Sequence, residues 1–242
     1  MRNIIHLEET DSTNTWIKQR RSELPNGTLV TAKRQTAGRG RMGHIWLDEQ
    51  GMLPMSVLLK EPPHPAEITL CAAVAVCRAL EAAYTKSKPN FGIKWPNDIV
   101  LDGYKLCGIL CESACFGDRI DVICGIGVNI SQSAEFFAQA GLPHGASLKM
   151  LTGAAPERDA LAEEIADRLT ELCSAGFSTV LEEYRSRCVT LGREIRVIQG
   201  GEERTAFAQS IAENGFLICR DDSGTFEVNS GEVSVRGLYG YI

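Results

Sequence analysis

Three glycines alternate with two arginines in the stretch Gln35-Thr36-Ala37-Gly38-Arg39-Gly40-Arg41-Met42-Gly43-His44-Ile45-Trp46. Glycine lets a backbone come close to a ligand. Arginine presents a planar, permanently charged fork that fits carboxylates and phosphates. The stretch is neither a Walker loop nor a dinucleotide Gly-x-Gly-x-x-Gly. Taken alone it reads equally as a flexible basic turn or as a loop that folds over an anion.

Two further stretches carry chemistry-bearing side chains. Lys94-Trp95-Pro96-Asn97-Asp98 precedes a turn at Leu101-Asp102-Gly103-Tyr104, and Lys105 opens the returning strand. Asp-Gly between apolar runs is a strong hairpin signal. A third strand, expected over residues 120–130 after a Gly117-Asp118 turn, carries Gly125-Ile126-Gly127-Val128-Asn129, with glycines where a side chain would block a close ligand. Three adjacent strands thus bear Asn97, Asp98, Lys105, Gly127 and Asn129, a set that packing alone does not call for. Near the N-terminus, Asp11-Ser12-Thr13-Asn14 reads as a helix start, because all four residue types cap helices. Such a start also turns free backbone N–H groups toward a polar ligand.

The positioning elements follow from the pattern. Strands are expected over residues 3–7, 29–32 and 52–59, with Pro54 implying an edge position or a bulge in the last. Pro65 opens a long buried helix to about Tyr84. Helices are expected near residues 134–140 and 148, then over 158–175 and 177–188, with Gly176 between the last two. Beyond Leu191, about five short strands separated by Gly200-Gly201, Asn214-Gly215 and Ser223-Gly224 suggest a small barrel. The domain boundary is placed at residues 188–191: 1–188 and 189–242.

The chain has 242 residues and a net charge of −6, with its basic residues scattered, which argues against a general nucleic-acid binder and for a small anionic ligand. Nine cysteines without clustering argue against a disulfide framework and for a reducing, cytoplasmic setting. Cys107, Cys111 and Cys115 share one face of a strand as small core residues, and no zinc set completes them. No signal peptide and no membrane-spanning run is recognised.

These motifs, in this order, resemble the biotin–protein ligases. The resemblance rests on Asp11 to Asn14, Gln35 with Gly38 to Arg41 and Gly43, Trp46, Lys94 to Asp98, Lys105-Leu106-Cys107-Gly108-Ile109-Leu110, Gly125 to Asn129 and the closing Gly231-Glu232-Val233-Ser234-Val235-Arg236. It implies an α+β fold: a mixed, largely antiparallel sheet flanked by helices, related to class II aminoacyl-tRNA synthetases, with a C-terminal SH3-like barrel. It implies that biotin and ATP, with Mg2+, give biotinyl-5′-AMP and pyrophosphate, and that a carrier lysine then displaces AMP. It also implies the site. Ser12, Thr13, Asn14 and Gln35 bind the polar head of biotin. Arg39, Gly40, Arg41 and Lys105 line the way to its carboxylate and the phosphates. Trp46, Asn97, Asp98, Gly127, Asn129 and Arg236 serve ATP, and Asp98 is the expected magnesium ligand. Asn97 and Asp98 either face the nucleotide or orient the incoming amine. Lys105, Arg39 and Asp98 are the expected catalytic residues, while Trp95 fits a core role. The family's N-terminal DNA-binding domain, present in some members, is not expected here. Expected partners are a biotin carboxyl carrier protein domain and a second copy of the chain as a homodimer, with no nucleic acid and no membrane. A lipoate or octanoate ligase or transferase is the alternative within this fold, and a catalytically silent biotin sensor is one outside enzymes. Pro54 stands where members often carry an aromatic, and Cys107 where alanine is frequent.

Overall fold

The computed structural model describes residues 2–47, 49–117, 119–230, 233–237 and 241–242. Asp118 of the expected turn, and Gly231 and Glu232 of the closing motif, lie outside the described residues. Seven strands form the larger sheet: β1 (Ile4–Thr10), β2 (Leu29–Gln35), β3 (Met52–Leu59), β4 (Gly92–Lys94), β5 (Asp98–Leu101), β6 (Tyr104–Phe116) and β7 (Arg119–Asn129), in the order β1-β2-β3-β7-β6-β5-β4. Only β1 and β2 run parallel; every other neighbouring pair is antiparallel.

Helices cover both faces, which explains the buried run of β3. Met55, Val57 and Leu59 join a large core with α2 (Ile68–Ala83) and α5 (Arg158–Ala175). Leu58 joins a smaller cluster with Val30, Ile123 and Ile17 of α1 (Thr13–Arg20). A strand buried on both faces reads as a continuous apolar run rather than an alternation. Pro65–Glu67 forms a short 3-10 turn before α2, so that helix begins three residues later than expected. Small helices α3 (Ala134–Gln139) and α4 (Leu148–Thr152) follow β7, and α6 (Leu181–Arg187) follows a 3-10 turn after Gly176.

Pro54 breaks the expectation of an edge strand or bulge. β3 lies inside the sheet, between β2 and β7. The β2–β3 ladder ends at Thr31↔Met55, so Pro54 sits one residue past it and pairs only with Gly127 of β7. A missing N–H is tolerated there because no second ladder asks for it.

The C-terminal strands β8 (Glu194–Gln199), β9 (Glu202–Ile211), β10 (Leu217–Asp221), β11 (Gly224–Val228) and β12 (Val233–Gly237) form an antiparallel sheet in the order β11-β10-β9-β8-β12. The expected barrel is therefore corrected to a five-stranded sheet: among the described residues no ladder joins its outer strands β11 and β12. Trp95 links the two sheets. It is 2 % exposed and its indole N–H donates to the Gly215 carbonyl at 3.1 Å, consistent with the core role read from sequence. No helix is long and apolar enough to cross a membrane among the described residues.

Candidate active site

A cavity of about 410 Å³ opens on the face of the larger sheet that carries the start of α1. One end is a buried polar cluster. Ser12, Thr13 and Asn14 are each 4 % exposed or less. Ser12 makes no side-chain cap bond, although it occupies the capping position. Thr13 instead donates its backbone N–H (2.8 Å) and hydroxyl (3.1 Å) to the Gln35 side-chain carbonyl. Ser56, which sequence reading did not single out, contacts Thr13 Oγ1 at 2.7 Å and Asn14 Oδ1 at 2.6 Å. The Asn14 amide donates to the Leu110 carbonyl (3.2 Å) and to Glu112 Oε2 (2.7 Å). Buried donors and acceptors held this firmly suit a small polar head group.

Gly125 and Gly127 of β7, and Gly108 of β6, lie beneath protein side chains and also line the cavity. A Cβ on Gly127 would stand 2.6 Å from the Trp46 ring, and one on Gly108 2.7 Å from it. Trp46 thus lies across both strands, its indole N–H pointing to Met52 Sδ at 2.9 Å. A Cβ on Gly125 would stand 2.4 Å from Asn14 Oδ1. Since Asn14 is fixed by several bonds, Gly125→Ala is expected to displace it. The expected outcome is a loss of about 1–3 kcal/mol in denaturant unfolding. An unchanged unfolding midpoint would disprove the packing role.

The glycine–arginine stretch is a small hairpin. The Gly40 N–H donates to the His44 carbonyl (2.7 Å), the Trp46 N–H to the Gly38 carbonyl (3.0 Å), and Arg39 pairs with Ile45. Arg39 reaches back across the polar cluster to Glu112 Oε2 (2.9 Å) and Thr15 Oγ1 (3.2 Å). Arg41 donates to Asn97 Oδ1 (2.9 Å) and to the Ser230 carbonyl. Burial lowers the Arg41 pKa, with Asp98 opposing the shift; at neutral pH an arginine keeps its charge regardless.

Cations gather around Asp98 at the other end. Lys105 Nζ lies 2.7 Å from Asp98 Oδ1 and 5.2 Å from the centre of a Trp46 ring. Lys105 is placed by its hairpin, where Asp102 and Gly103 both take positive φ (51° and 83°) as the favoured two-residue turn requires. Burial would push the Asp98 carboxyl up, but Lys105, Tyr241 and Lys94 together hold it below the usual range. Lys94 Nζ sits 3.6 Å above the centre of the Tyr241 ring. Burial pulls Lys94 down to about 8, against the pull of Asp98 and with Lys105 and Arg236 adding to the shift. The cost of burying this charge is present below pH 8 and is relieved as pH rises from there toward the ordinary lysine value. Affinity for a phosphate ligand is expected to fall as pH climbs through about 8. Calorimetric titration of ATP between pH 7 and 9 checks this, and a flat profile would exclude such a role for Lys94.

Asn97, Asp98, Lys105, Gly127 and Asn129 all line the cavity. Asn129 is spent on structure: its amide donates to the Ala146 carbonyl (3.1 Å) and its Oδ1 accepts from Gln132 (3.1 Å). Arg236 is an exposed residue of β12 outside the cavity lining. Its charge nevertheless contributes to the field at Lys94. Sequence reading passed over Lys94, Glu112, Ser56 and Tyr241. Lys94 had a signal in its motif; the others become visible only once the strands and the C-terminal segment are brought together.

The described residues do not build a resident magnesium cage. Both oxygens of Asp98 are engaged, by Lys105 and by the Tyr241 hydroxyl. Asp98 is the only carboxylate among the described cavity-lining residues, and no group of three or more His, Cys, Asp or Glu able to hold a metal occurs among the described residues. Mg2+ commonly binds through substrate phosphates and water rather than in an all-protein cage. All nine cysteines are free; Cys107 is buried, Cys111 partly so and Cys115 exposed, so that series spans core and surface rather than core alone.

A cleft with a buried hydrogen-bonding cluster at one end and gathered cations at the other fits the class of proteins that bind a small acid. The comparisons narrow this class. Residues 7–129 match the Biotin/lipoate A/B protein ligase family, and residues 190–236 match the Biotin protein ligase C terminal domain. The chain belongs to the biotin/lipoate protein ligase family. It is 32% identical over 240 residues to the Biotin--[acetyl-CoA-carboxylase] ligase of Paracoccus denitrificans, covering 96% of this chain and 100% of that protein. It is 31% identical over 223 residues to the Bifunctional ligase/repressor BirA of Bacillus spizizenii, covering 88% of this chain and 68% of that protein. Its structure resembles the biotin protein ligase from Aquifex aeolicus in complex with biotin and ATP. There the TM-score is 0.80 and the identity 29%, over 97% of this chain and 99% of the other.

Proposed function

We propose that the chain activates biotin with ATP as biotinyl-5′-AMP and transfers the biotinyl group to a lysine in the carrier domain of a biotin-dependent carboxylase. A carboxylate oxygen of biotin attacks the α-phosphorus and pyrophosphate leaves. The carrier amine then attacks the acyl carbon, loses a proton, and AMP leaves. The observation that carries this reading is Lys105 at 2.7 Å from Asp98, on the floor of a cavity whose far end is the Thr13–Gln35 hydrogen-bonding head.

In this reading Ser12, Thr13, Asn14 and Gln35 take the ureido head of biotin, which needs both donors and acceptors. Lys105, with Arg39 and Arg41, neutralises the repulsion between carboxylate and α-phosphate, and Gly40 lines the same approach. Trp46, Asn97, Gly127 and Asn129 shape the nucleotide end, Asp98 holds Lys105, and Arg236 contributes at longer range. The carboxylate of biotin is itself the nucleophile, so the protein supplies positioning and charge. Residues 1–188 form the ligase unit and 189–242 a C-terminal unit in this scheme. Nine free thiols suit a cytoplasmic setting.

The test is pyrophosphate release from labelled ATP with biotin or lipoate as the acid. Release with biotin, and transfer to a carrier domain, is the expected result. Release with lipoate alone would move the chain to the lipoate branch, and release with neither would leave a binding protein.

A further inference from the structure

Tyr241 lies four residues beyond β12 and outside both segments matched to the family, yet its side chain lines the cavity. Its hydroxyl donates to Asp98 Oδ2 while Lys105 holds Asp98 Oδ1. Its ring caps Lys94 Nζ at 3.6 Å and stacks on His144, centroids 5.6 Å apart and planes 24° from parallel. The His144 carbonyl in turn accepts from the Lys105 backbone N–H at 2.7 Å. Tyr241 is therefore linked to Lys105 by two independent routes, through the Asp98 carboxylate and through His144. The residue also stands between the main cavity and a second one of about 370 Å³ that Asn90, Asp102, His144 and Arg193 help line.

We propose that Tyr241 is a positioning residue for adenylation: its hydroxyl fixes Asp98, and through Asp98 the ammonium of Lys105, so that a residue beyond the C-terminal sheet sets the charge geometry of the cleft. The physical reason lies in the carboxylate. One oxygen of Asp98 serves Lys105, and leaving the second oxygen of a part-buried carboxylate without a donor is costly, which favours its movement toward the next cation. Lys94 is that cation, close enough for its charge to act on Asp98. The Tyr241 hydroxyl occupies the second oxygen, and its ring keeps Lys94 on the other side. Burial beside Asp98 raises the phenol pKa, so the proton stays on Tyr241 and the group remains a donor.

The inference rests on the biotin-ligase reading, and the experiment separates the two. Biotin-dependent pyrophosphate release is measured on the full chain as wild type, Tyr241→Phe, Asp98→Asn and the double variant, with thermal unfolding alongside. A wild type inactive with biotin overturns the functional reading itself. With an active wild type, Tyr241→Phe keeps the ring contacts and loses only the hydroxyl. Its kcat is expected to fall about 10-fold, as for a lost hydrogen bond to a charged group, with the KM for biotin unchanged and the melting temperature only slightly lowered. In the Asp98→Asn background the same change is expected to cost nothing further, because the carboxylate it served is gone. A Tyr241→Phe enzyme with wild-type kcat, a loss confined to KM or to melting temperature, or a full loss persisting in the Asp98→Asn background would each overturn the proposal.

Discussion

Replacing Lys105 with glutamine is expected to slow formation of the adenylate by about 100-fold or more, by analogy with the loss of a preorganised oxyanion donor. The attacking carboxylate and the α-phosphate are both negative. A fixed ammonium between them lowers that repulsion most where water is excluded. Lys105 is fixed by a two-residue turn below it, by the His144 carbonyl on its backbone N–H and by Asp98 on its side chain. The same pairing complicates the experiment. Glutamine leaves the Asp98 charge without its cation, so a stability loss of about 1–3 kcal/mol is expected as well. The Lys105→Gln, Asp98→Asn double variant separates the effects. It places two neutral, hydrogen-bonding groups where an ion pair stood, and should recover much of the stability but none of the rate. Pyrophosphate exchange and denaturant unfolding on the two variants check this. A double variant that recovers adenylation would show that Lys105 matters for the fold rather than for the reaction.

How far the sequence could be read depends on where each signal resides. Asp102-Gly103 carries its own turn chemistry, so the hairpin presenting Lys105 was legible, and with it the adjacency of the strands holding Asp98 and Gly127. Pro54 was misread because proline rules describe a whole strand. Here the β2 ladder stops one residue short of it. The glycines of β7 were read as leaving room for a ligand, and the side chains that approach them are Trp46 and Asn14. No local rule names the partner of a missing Cβ. Glu112 and Tyr241 were invisible for the same reason. Their roles come from Asn14 and Arg39 in one case and from Asp98 and Lys94 in the other, all far away in the chain.

Arg39→Gly is expected to release the adenylate about 10- to 100-fold faster than wild type, the range for losing a hydrogen bond to a charged group, and to leave the fold nearly intact. The hairpin from Gly38 to Trp46 is closed by backbone bonds, which the substitution spares. The side chain of Arg39 is 45% exposed and its ion pair with Glu112 is that of a partly solvated group. Such pairs contribute about 0–1 kcal/mol to stability. The ligand-bound state differs. An adenylate brings an anion beneath the hairpin, and Arg39 can then turn from Glu112 to the phosphate while Glu112 keeps its bond from Asn14. Met42, Ile45 and Leu47, exposed yet part of the cavity wall, supply apolar cover for the same ligand. Ordering a loop that holds three glycines costs entropy, and the arginine–anion contact offsets it. Without Arg39 the hairpin loses its hold on the phosphate, and the mixed anhydride escapes into solution. Free biotinyl-5′-AMP acylates exposed amines, so lysines of bystander proteins become biotinylated in proportion to escape. The check has two parts: dissociation of labelled adenylate after rapid dilution, and streptavidin detection of biotin on an added unrelated protein. If Arg39→Gly holds the adenylate as long as wild type and leaves bystanders unlabelled, the arginine serves only its pair with Glu112.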